Sequence, residues 1–424
     1  MNNGGIGACL YSTVMSLFQL VVKAGGSRIL RWATKDGGKK QQFVMGQKGL
    51  LPHIRQEMAG EEHRVCWIHC ASMGEYAVAR PLIKGLREQG WSVVLTFFSP
   101  SGYEPLRQRE NVADHLFYLP IDSRRNARRF LDAVKPKKAV FIISEYWVNL
   151  LSALGKRHIP TFFVSMLVPD SHYLPKWYAR PIRRALKAVT TFMVINEETR
   201  KNMGQMGFHN CRLTGDPLFD NALQIAGSDY RNPIVEHFCQ TADEVFVGGS
   251  INDINDVNII SGFANRQPKL KFIIAPHEIS QESLRNLQNR LEGKSVLYSE
   301  CTAESDFATV QTLIIDYVGD LARLYRYGKC AYIGGGFTPY LHSVIEPVAY
   351  GLPITFGPNI HRKATPRQMM DRGFAAIVTT DEELEQWYIG IRNTDYEKAH
   401  TAALDYARSN GGATETILNI ITEQ

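Results

Sequence analysis

The sequence predicts an α/β protein made of two Rossmann-like, doubly wound parallel-sheet domains. The chain has 424 residues, which is too long for one hydrophobic core and suits two domains of ordinary size. Short apolar runs alternate with longer amphipathic stretches, and parallel sheets need this rhythm of strand, helix and strand. The apolar runs also form two separate series along the chain, so each series can supply a sheet of its own.

The first series predicts six strands in the N-terminal half. They are Val65–His69, Val93–Phe98, His115–Leu119, Ala139–Ile143, Thr161–Ser165 and Phe192–Ile195. Helical periodicity between them covers stretches such as Ala77–Gln89 and Arg124–Val134. Strands that are apolar almost throughout are typical of a sheet buried on both faces.

The second series predicts seven more strands. They are Val245–Gly249, Lys271–Ala275, Ser295–Leu297, Thr312–Ile315, Cys330–Ile333, Pro353–Phe356 and Ala375–Val378. The joint is expected between Asp216 and Glu244, where no clear periodicity is visible. We therefore assign residues 46–220 to an N-terminal domain and 221–424 to a C-terminal domain, and expect the two to face a cleft.

Residues 1–45 are interpreted as a membrane-associating segment. The apolar stretch Ile6–Val22 has 17 residues, slightly short of the roughly 20 that span a bilayer. The first 60 residues hold eight Lys or Arg and two acids, an excess equal to the net charge of +6 of the whole chain. An apolar helix with a basic flank favours an anchor at the anionic cytoplasmic leaflet. The alternative is an ordinary helix packed on the protein body.

Composition and charge argue against several other classes. The seven cysteines are odd in number and scattered, which indicates free thiols in a reducing compartment. Beyond the first 60 residues the chain is neutral and carries no known nucleic-acid-binding module, so no nucleic-acid partner is expected.

Two carboxylates follow strands, at the sheet edge where ligands bind in such folds. Glu75 comes after the first strand, in a turn where Ser72 and Gly74 can present backbone amides to a ligand. Glu145 comes after the fourth strand. An acid in the first turn of a helix can simply complement the helix dipole, by about 0.3–1 kcal/mol. The other interpretation is a general base that takes a proton from a hydroxyl. Two strands that deliver acids to one edge make coincidence less likely, and the alternative for Glu145 is that it caps a helix.

Three turn motifs follow one another in the C-terminal half. Gly334, Gly335 and Gly336 come after a strand, where backbone amides can approach a phosphate closely. Glu346 stands where a helix begins, and its carboxylate can accept both hydroxyls of a ribose. Gly351–Pro353 then ends that helix. This order is typical of the nucleotide-sugar domain of two-domain glycosyltransferases of the GT-B type.

Eight motifs in order resemble those of the Kdo transferases, which add 3-deoxy-D-manno-octulosonic acid (Kdo) to lipid A precursors in lipopolysaccharide assembly. The resemblance runs from about Gln47 to Val378. The motifs are Trp67–Glu75, Thr96–Gly102, Tyr118–Asp122, Ser144–Asn149, Leu213–Asp220, Gly248–Ser250, Ala275–Glu278 and His342–Pro347.

The resemblance implies an inverting transfer of Kdo from CMP-Kdo to a hydroxyl of a lipid A precursor (lipid IVA), with release of CMP. Glu75 is then the catalytic base, and Glu145 is a second essential glutamate that holds the sugar or the acceptor. The donor-binding candidates are Gly248, Gly249, Ser250, Pro276, His277, Gly334, Gly335, Gly336, His342 and Glu346. No metal and no cofactor is expected, since helix N-termini and histidines can offset the charge of the leaving group. Asp253 and Asp256 are interpreted as loop acids.

The implied acceptor is phosphorylated and acylated, so its site should combine cations with aromatic side chains. Such residues interleave over positions 169–187. The acceptor-binding candidates are Ser72, Gly74, Lys176, Arg180, Arg183 and Arg184. The alternative for 169–187 is a solvated amphipathic helix whose aromatics face the core. The expected location is the cytoplasmic face of the inner membrane.

Three positions depart from the family's pattern. Asp216 and Pro217 stand where the family commonly has Asn and Lys, and His277 follows Pro276 directly where it commonly has an intervening Arg. Two other functions stay open, and the missing Lys and Arg support only the second of them. One is another GT-B nucleotide-sugar transferase or an epimerase, which would share the glycine turn but not the pair of glutamates. The other is a non-catalytic relative that binds lipid or nucleotide.

Overall fold

A computed structural model describes residues 11–20, 38–109, 112–143, 145–339, 341–360 and 364–423. They divide into two compact domains. The N-terminal domain extends to Asn221 and also includes the chain from Gly412 onward, and the C-terminal domain is Ala222–Gly411. Each domain holds a seven-stranded sheet in which all paired strands are parallel. The predicted fold class, two doubly wound α/β domains, is confirmed.

The sheet of the N-terminal domain has the order β3-β2-β1-β4-β5-β6-β7. Its strands are β1 Arg64–Cys70, β2 Trp91–Phe97, β3 His115–Tyr118, β4 Lys138–Ile142, β5 Thr161–Met166, β6 Thr191–Val194 and β7 Cys211–Leu213. The helices up to the domain boundary are α1 Lys39–Gln47, α2 Leu50–Glu57, α3 Met73–Glu88, α4 Pro100–Leu106, α5 Arg124–Val134, α6 Val148–Lys156, α7 Arg180–Leu186, α8 Glu197–Gln205 and α9 Pro217–Ala226. The six predicted strands are present, and β7 is an additional edge strand of three partly exposed residues.

Side chains alternate across the N-terminal sheet, so both of its faces are packed. On β1, Val65 and Trp67 belong to one hydrophobic core, whereas Cys66, Ile68 and Cys70 belong to another. Burial on both faces explains why these strands are nearly continuous apolar runs in the sequence.

The sheet of the C-terminal domain has the order β10-β11-β9-β8-β12-β13-β14. Its strands are β8 Val245–Ile251, β9 Lys271–Pro276, β10 Ser295–Leu297, β11 Thr312–Ile314, β12 Cys330–Ile333, β13 Ile354–Phe356 and β14 Ala375–Ile377. Its helices are α10 Pro233–Gln240, α11 Ile254–Arg266, α12 Gln281–Gln288, α13 Leu321–Leu324, α14 Ile345–Ala349, α15 Ala364–Asp371, α16 Asp381–Gly390 and α17 Tyr396–Ser409. All seven predicted strands are present.

The domain boundary lies within the predicted stretch Asp216–Glu244, and that stretch is partly helical. The stretch without clear periodicity contains α9 and α10. Helix α10 begins with two ordinary start signals, since Asn232 caps it through a hydrogen bond from the Val235 amide and Pro233 is its first residue. Its eight residues are too few for periodicity to reveal the helix.

The last helix, α18 (Ala413–Glu423), packs on the N-terminal domain, although its residues were assigned to the C-terminal one. Ile417 and Ile421 lie in the same core as Ile68. The buried ammonium of Lys138 donates hydrogen bonds to the carbonyls of Ile421 and Thr422. The assignment of 221–424 to one domain therefore needs correction for residues 412–424, because chain order does not determine where an apolar helix face is buried.

Residues 11–20 form a helix that packs against the N-terminal domain. The Tyr11 hydroxyl donates to a carboxylate oxygen of Asp122 at 2.9 Å, and the Gln19 amide donates to Asn126 at 3.0 Å. Its exposed apolar side chains are Val14, Leu17, Phe18 and Leu20. Among the described residues, no helix combines the length and apolar character needed to cross a membrane. Of the predicted membrane-associating segment 1–45, residues 1–10 and 21–37 lie outside the described residues, and residues 38–45 include most of α1.

Candidate active site

Each sheet has one point where its strand order reverses, and ligands bind beyond the carboxyl ends of the strands there. In the N-terminal domain the reversal lies between β1 and β4, and in the C-terminal domain between β8 and β12. Glu75 and Glu145 follow β1 and β4, whereas the two glycine motifs are at the ends of β8 and β12. The two predicted catalytic glutamates therefore lie at the reversal point of one sheet, and the predicted donor-binding glycines lie at that of the other.

Glu75 lies in the first turn of α3, after Ser72 at the N-cap position. Its carboxylate accepts a hydrogen bond from the Ala71 amide. Burial raises the pKa of Glu75 to about 8, and the negative charge of Glu145 contributes to the rise while the Ala71 amide opposes it. A carboxylate with a pKa near working pH is suited to general base catalysis. An exposed acid that only complemented the helix dipole would not be shifted in this direction.

Ser72 and Gly74 flank this turn, at the N-cap and the second residue of α3. Added atoms would have room at Gly74, because a Cβ there would approach only the Ser72 hydroxyl, at 3.9 Å. The structure thus places both predicted acceptor residues beside Glu75 without making glycine sterically necessary.

Glu145 stands at the end of β4, beside a backbone in an unusual conformation. Ile143 has φ 61°, a left-handed value that strains a β-branched residue. A carboxylate oxygen of Glu145 lies 3.6 Å from Nε2 of the fully buried His69 on β1. His69 appears in the first motif of the sequence, but no local pattern there indicates that it faces the acid that follows β4.

The glycine motifs of the C-terminal domain are packed backbone against backbone. A Cβ at Gly334 would collide with the carbonyl of Ser250, and one at Gly336 would collide with Gly357. At Gly249 the neighbour is a side chain instead, because a Cβ there would collide with the Tyr325 hydroxyl. Ser250 itself has φ 54°, so the end of β8 also carries backbone strain. Glycine is needed here for close approach of the chain to itself.

Asp256 on α11 organises the glycine turn, contrary to its interpretation as a loop acid. Its buried carboxylate accepts the Tyr332 hydroxyl at 2.7 Å, the Gly335 amide at 2.7 Å and the Asn252 amide at 3.1 Å. Burial raises its pKa. Asp253 is the N-cap of α11, and the two acids form a capping box. The Asp-x-x-Asp spacing was the signal that could have identified this helix start.

Two backbone amides of the glycine turn already donate hydrogen bonds within the protein. Gly335 donates to Asp256, and Gly334 donates to the Gly249 carbonyl at 2.9 Å. The predicted phosphate cradle therefore needs revision at these two positions, because an amide already bonded to a carboxylate or carbonyl does not face a ligand. Other donors must contribute if a phosphate binds at this edge.

Two histidines lie beside the glycine turn. The rings of His277 and His342 are 4.5 Å apart. The His277 amide donates to the carbonyl of Ile251, at the end of β8, and the His342 amide donates to the Gly334 carbonyl. Pro276 ends β9 immediately before His277. The structure thus brings together predicted donor residues from β8, β9 and the segment after β12.

Glu346 lies in the first turn of α14. Burial raises the pKa of the Tyr325 hydroxyl, with a smaller contribution from the Glu346 charge. Since Tyr325 also touches Gly249, Glu346 belongs to the same edge of the sheet as the other donor candidates.

The acceptor candidates over 169–187 do not form the amphipathic helix offered as the alternative. They occupy a loop, one turn of 3-10 helix (Trp177–Ala179) and α7. Trp177 and Tyr178 are 84% and 56% exposed, so these aromatics do not face the core. Lys176, Arg180 and Arg184 are exposed beside them.

Arg183 and Tyr173 have structural contacts within this region. The Arg183 guanidinium donates to the carbonyls of Leu174 and Lys176, so it holds the loop in place and is less available for an acceptor phosphate than its neighbours. The ring of Tyr173 packs 6.3 Å from that of Tyr146, the residue after Glu145. The exposed cationic and aromatic surface is therefore joined to the Glu145 segment.

The departures at Asp216 and Pro217 have a structural explanation. Asp216 is half-buried, and desolvation raises its pKa; it accepts hydrogen bonds from the Ser165 hydroxyl at 3.0 Å and the Leu218 amide at 3.1 Å. Pro217 is the first residue of α9, a position that tolerates proline. These residues form the start of a helix near the domain boundary.

Comparisons with known proteins agree with the motifs. Residues 44–221 match the family model described as 3-deoxy-D-manno-octulosonic-acid transferase (kdotransferase). A 3-deoxy-D-manno-octulosonic acid transferase of Aquifex aeolicus is 25% identical over 323 residues, 74% of this chain and 82% of that protein. The transferase of Haemophilus influenzae is 22% identical over 375 residues, 84% of this chain and 86% of its own. The resemblance seen in the motifs is confirmed.

Solved structures show the same fold. A UDP-GlcNAc 2-epimerase from Neisseria meningitidis superimposes with a TM-score of 0.60 at 14% identity, covering 85% of this chain and 100% of that one. MurG from Acinetobacter baumannii gives a TM-score of 0.52 at 14% identity, covering 85% and 99%. At such identities the likeness concerns the fold alone.

Proposed function

We propose that the chain is a Kdo transferase, which transfers Kdo from CMP-Kdo to a hydroxyl of a lipid A precursor such as lipid IVA, with inversion and release of CMP. The observation that carries this proposal is the pair of carboxylates, Glu75 and Glu145, at the strand-order reversal of the N-terminal domain. The donor candidates at the reversal of the other domain supply the nucleotide-binding half of the reaction.

In the proposed reaction Glu75 acts as the general base. Its ionised carboxylate takes the proton of the acceptor hydroxyl while that oxygen attacks the anomeric carbon of Kdo. The bond from this carbon to the CMP phosphate oxygen breaks on the opposite face, so the configuration inverts and CMP leaves with the bonding electrons. Glu145 holds the sugar or the acceptor hydroxyl close to Glu75.

CMP-Kdo is assigned to the C-terminal domain. The carboxylate of Glu346 is proposed to accept the ribose hydroxyls. His277 and His342, whose ring centroids are 4.5 Å apart, are proposed to donate hydrogen bonds to the departing phosphate and so to stabilise its growing charge. With these groups in place the proposal requires no metal ion.

The acceptor is assigned to the N-terminal domain, at an anionic membrane on the cytoplasmic side. Lys176, Arg180 and Arg184 offer cations for its phosphates, and the exposed Trp177 suits an interfacial region. The helix at residues 11–20 exposes apolar side chains. It is hydrogen-bonded to α5, whose exposed arginines are Arg124, Arg125, Arg128 and Arg129.

We expect the protein to sediment with anionic vesicles. Equal sedimentation with neutral vesicles would contradict the electrostatic part of this assignment.

The test is CMP release from CMP-Kdo by the detergent-solubilised protein, with and without a tetra-acylated lipid A precursor. Acceptor-dependent release is expected. Glu75→Gln should lower kcat by about 10²–10⁴-fold, the usual contribution of a general base, while CMP-Kdo binding persists. Glu88→Gln, in the last turn of the same helix, is the control and should leave kcat unchanged.

The outcomes separate the alternatives. CMP-Kdo binding without acceptor-dependent release would favour another acceptor or a non-catalytic relative, and absence of CMP-Kdo binding would reject the donor. Full activity of Glu75→Gln would remove Glu75 from the role of base.

A further inference from the structure

His69 is a buried histidine with a polar group at each ring nitrogen. Its Nδ1 lies 2.9 Å from the Thr96 hydroxyl on β2, and its Nε2 lies 3.6 Å from Glu145. The ring is fully buried, and within the described residues Nε2 has no hydrogen-bond partner. A buried polar nitrogen normally has a partner, because desolvation without one is unfavourable. The Glu145 carboxylate is the group placed to become that partner.

The hydrogen bonds of Thr96 determine which nitrogen carries the proton. Its hydroxyl oxygen accepts the indole N–H of Trp67 at 2.8 Å, so its own hydrogen is available to another acceptor. Nδ1 of His69 at 2.9 Å is closer to that oxygen than the Ile68 carbonyl at 3.5 Å. When Nδ1 accepts this hydrogen, the ring proton is on Nε2 and points toward Glu145.

The opposite tautomer is less favourable. Nδ1 could instead donate to the Thr96 carbonyl at 3.2 Å. The lone pair of Nε2 would then face the Glu145 carboxylate in a buried environment, and two acceptors that face each other repel.

The imidazole has little freedom to leave this position. Phe141 on β4 and Trp147 after Glu145 contact it in edge-to-face geometry, with ring centroids 6.0 Å and 5.8 Å away. In the sheet His69 is paired with Thr96 on one side and with Phe141 on the other. The ring is therefore fixed by the two strands that flank β1.

We propose that His69 is a positioning residue, whose Nε2–H orients the Glu145 carboxylate for the transfer reaction. The inference rests on the function proposed above for Glu145. The separation of 3.6 Å exceeds the roughly 2.7–3.2 Å of a hydrogen bond, and catalytic contacts of this kind commonly tighten when substrate binds. His69 supports Glu145 from the protein side, whereas Glu145 contacts the substrate.

Two substitutions at His69 test the contacts of its two ring nitrogens separately. The amide N–H of His69→Gln reaches about as far as Nε2, so it can still donate to Glu145. The shorter side chain of His69→Asn can keep the contact with Thr96 but ends before Glu145. We expect His69→Asn to lower kcat about 10- to 100-fold, as loss of a hydrogen bond to a charged group does, with the KM for CMP-Kdo within about twofold of wild type. His69→Gln should recover most of kcat.

A matched control shows whether a change from His to Asn lowers kcat by itself. His209→Asn, at an exposed histidine of the same domain, should match the wild type. Wild-type kcat in His69→Asn would overturn the proposal, and so would equal losses in the Asn and Gln variants, since equal losses indicate packing alone.

Histidine NMR provides a second test, which reads the tautomer in the wild-type protein and does not depend on the folding of the His69 variants. With ¹⁵N-labelled histidine, His69 should be the Nε2–H tautomer, identified as the ring signal that shifts in Glu145→Gln. The Nδ1–H tautomer, or no histidine signal that responds to Glu145→Gln, would overturn the proposal. If the wild type showed no acceptor-dependent CMP release, the proposed function would fail, while this spectrum would still decide the His69–Glu145 contact.

Discussion

The carboxyl of Glu75 is shielded from solvent and lies near the negative charge of Glu145, and both conditions raise its pKa. Both favour the protonated form, so its pKa is about 8 in the folded protein against an ordinary value of 4.5. Its hydrogen bond from the Ala71 amide acts in the other direction. The position of the acid in a helix's first turn was visible in the sequence, but this balance depends on how deeply the fold buries it.

The titration of Glu75 predicts the pH dependence of the reaction. Because the ionised carboxylate is the base, kcat/KM should rise with pH through about 8. Glu145→Gln removes a negative charge, so the pKa of Glu75 should fall. NMR titration of ¹³C-labelled glutamate carboxyls measures this fall. A Glu75 titration near the ordinary value of 4.5 in the wild type would contradict this account.

The same shift predicts an effect on stability. Since the folded pKa lies above the ordinary one, the folded state is favoured by protonated Glu75, and this contribution is lost as pH rises from 4.5 through about 8. Glu75→Gln should therefore lose less stability than the wild type over that interval. Urea unfolding at several pH values measures the difference, and parallel pH profiles for the two proteins would contradict it.

At the scale of elements, the ends of the strands carry unusual backbone conformations. Ile143, Ser165 and Ser250 have positive φ although none is glycine, and they lie at the ends of β4, β5 and β8. Strain of this kind persists only where surrounding contacts hold it, and it is frequent at functional sites. The hydrogen bonds of Asp256 and Asp216 provide such contacts nearby.

The packing of the glycine turn predicts a sharp difference between two alanine substitutions. Gly334→Ala would push a methyl group into the Ser250 carbonyl. We expect a loss of about 1–3 kcal/mol in the free energy of unfolding and a KM for CMP-Kdo raised at least about tenfold. Gly390→Ala is the control, because Gly390 is helical with open space around it and the change should stabilise by up to about 1 kcal/mol. Equal behaviour of the two variants would show that close approach at Gly334 is unimportant.

The elements that sequence reasoning missed are short. Strand β7 has three partly exposed residues, so it presents no apolar run. The segment 169–187 has the composition of an amphipathic helix, yet prolines at 169, 175 and 181 interrupt it, and only short helical pieces form. Periodicity needs several turns or alternations before it becomes informative.

At the scale of the whole molecule, the chain returns to its first domain at the end. Helix α18 contributes Ile417 and Ile421 to the core that contains Ile68 and Cys70. Asp220, near the end of the first domain segment, accepts the amides of Gly412 and Thr414. The N-terminal domain is therefore incomplete without the last residues of the chain.

Removal of residues 412–424 should accordingly destabilise the N-terminal domain. The deletion exposes part of its core and leaves the buried ammonium of Lys138 without two carbonyl partners. We expect a loss of at least about 3 kcal/mol in the unfolding free energy of that domain. Thermal unfolding of the full chain and the truncated chain measures it, with Ile417→Ala as a milder comparison. An unchanged transition would contradict the packing of α18.

The sequence by itself determined the fold class, thirteen of the fourteen strands in the described part of the chain, and the positions of both glutamates after β1 and β4. These features depend on local patterns, since apolar runs and turn residues are read within a few positions. The tertiary structure alone revealed the contact between His69 and Glu145, the hydrogen bond from Gly335 to Asp256, 79 positions away, and that from Lys138 to Ile421, 283 positions away. Such pairs depend on strand order and on which faces are buried together, and neither is encoded in the residues that surround each partner.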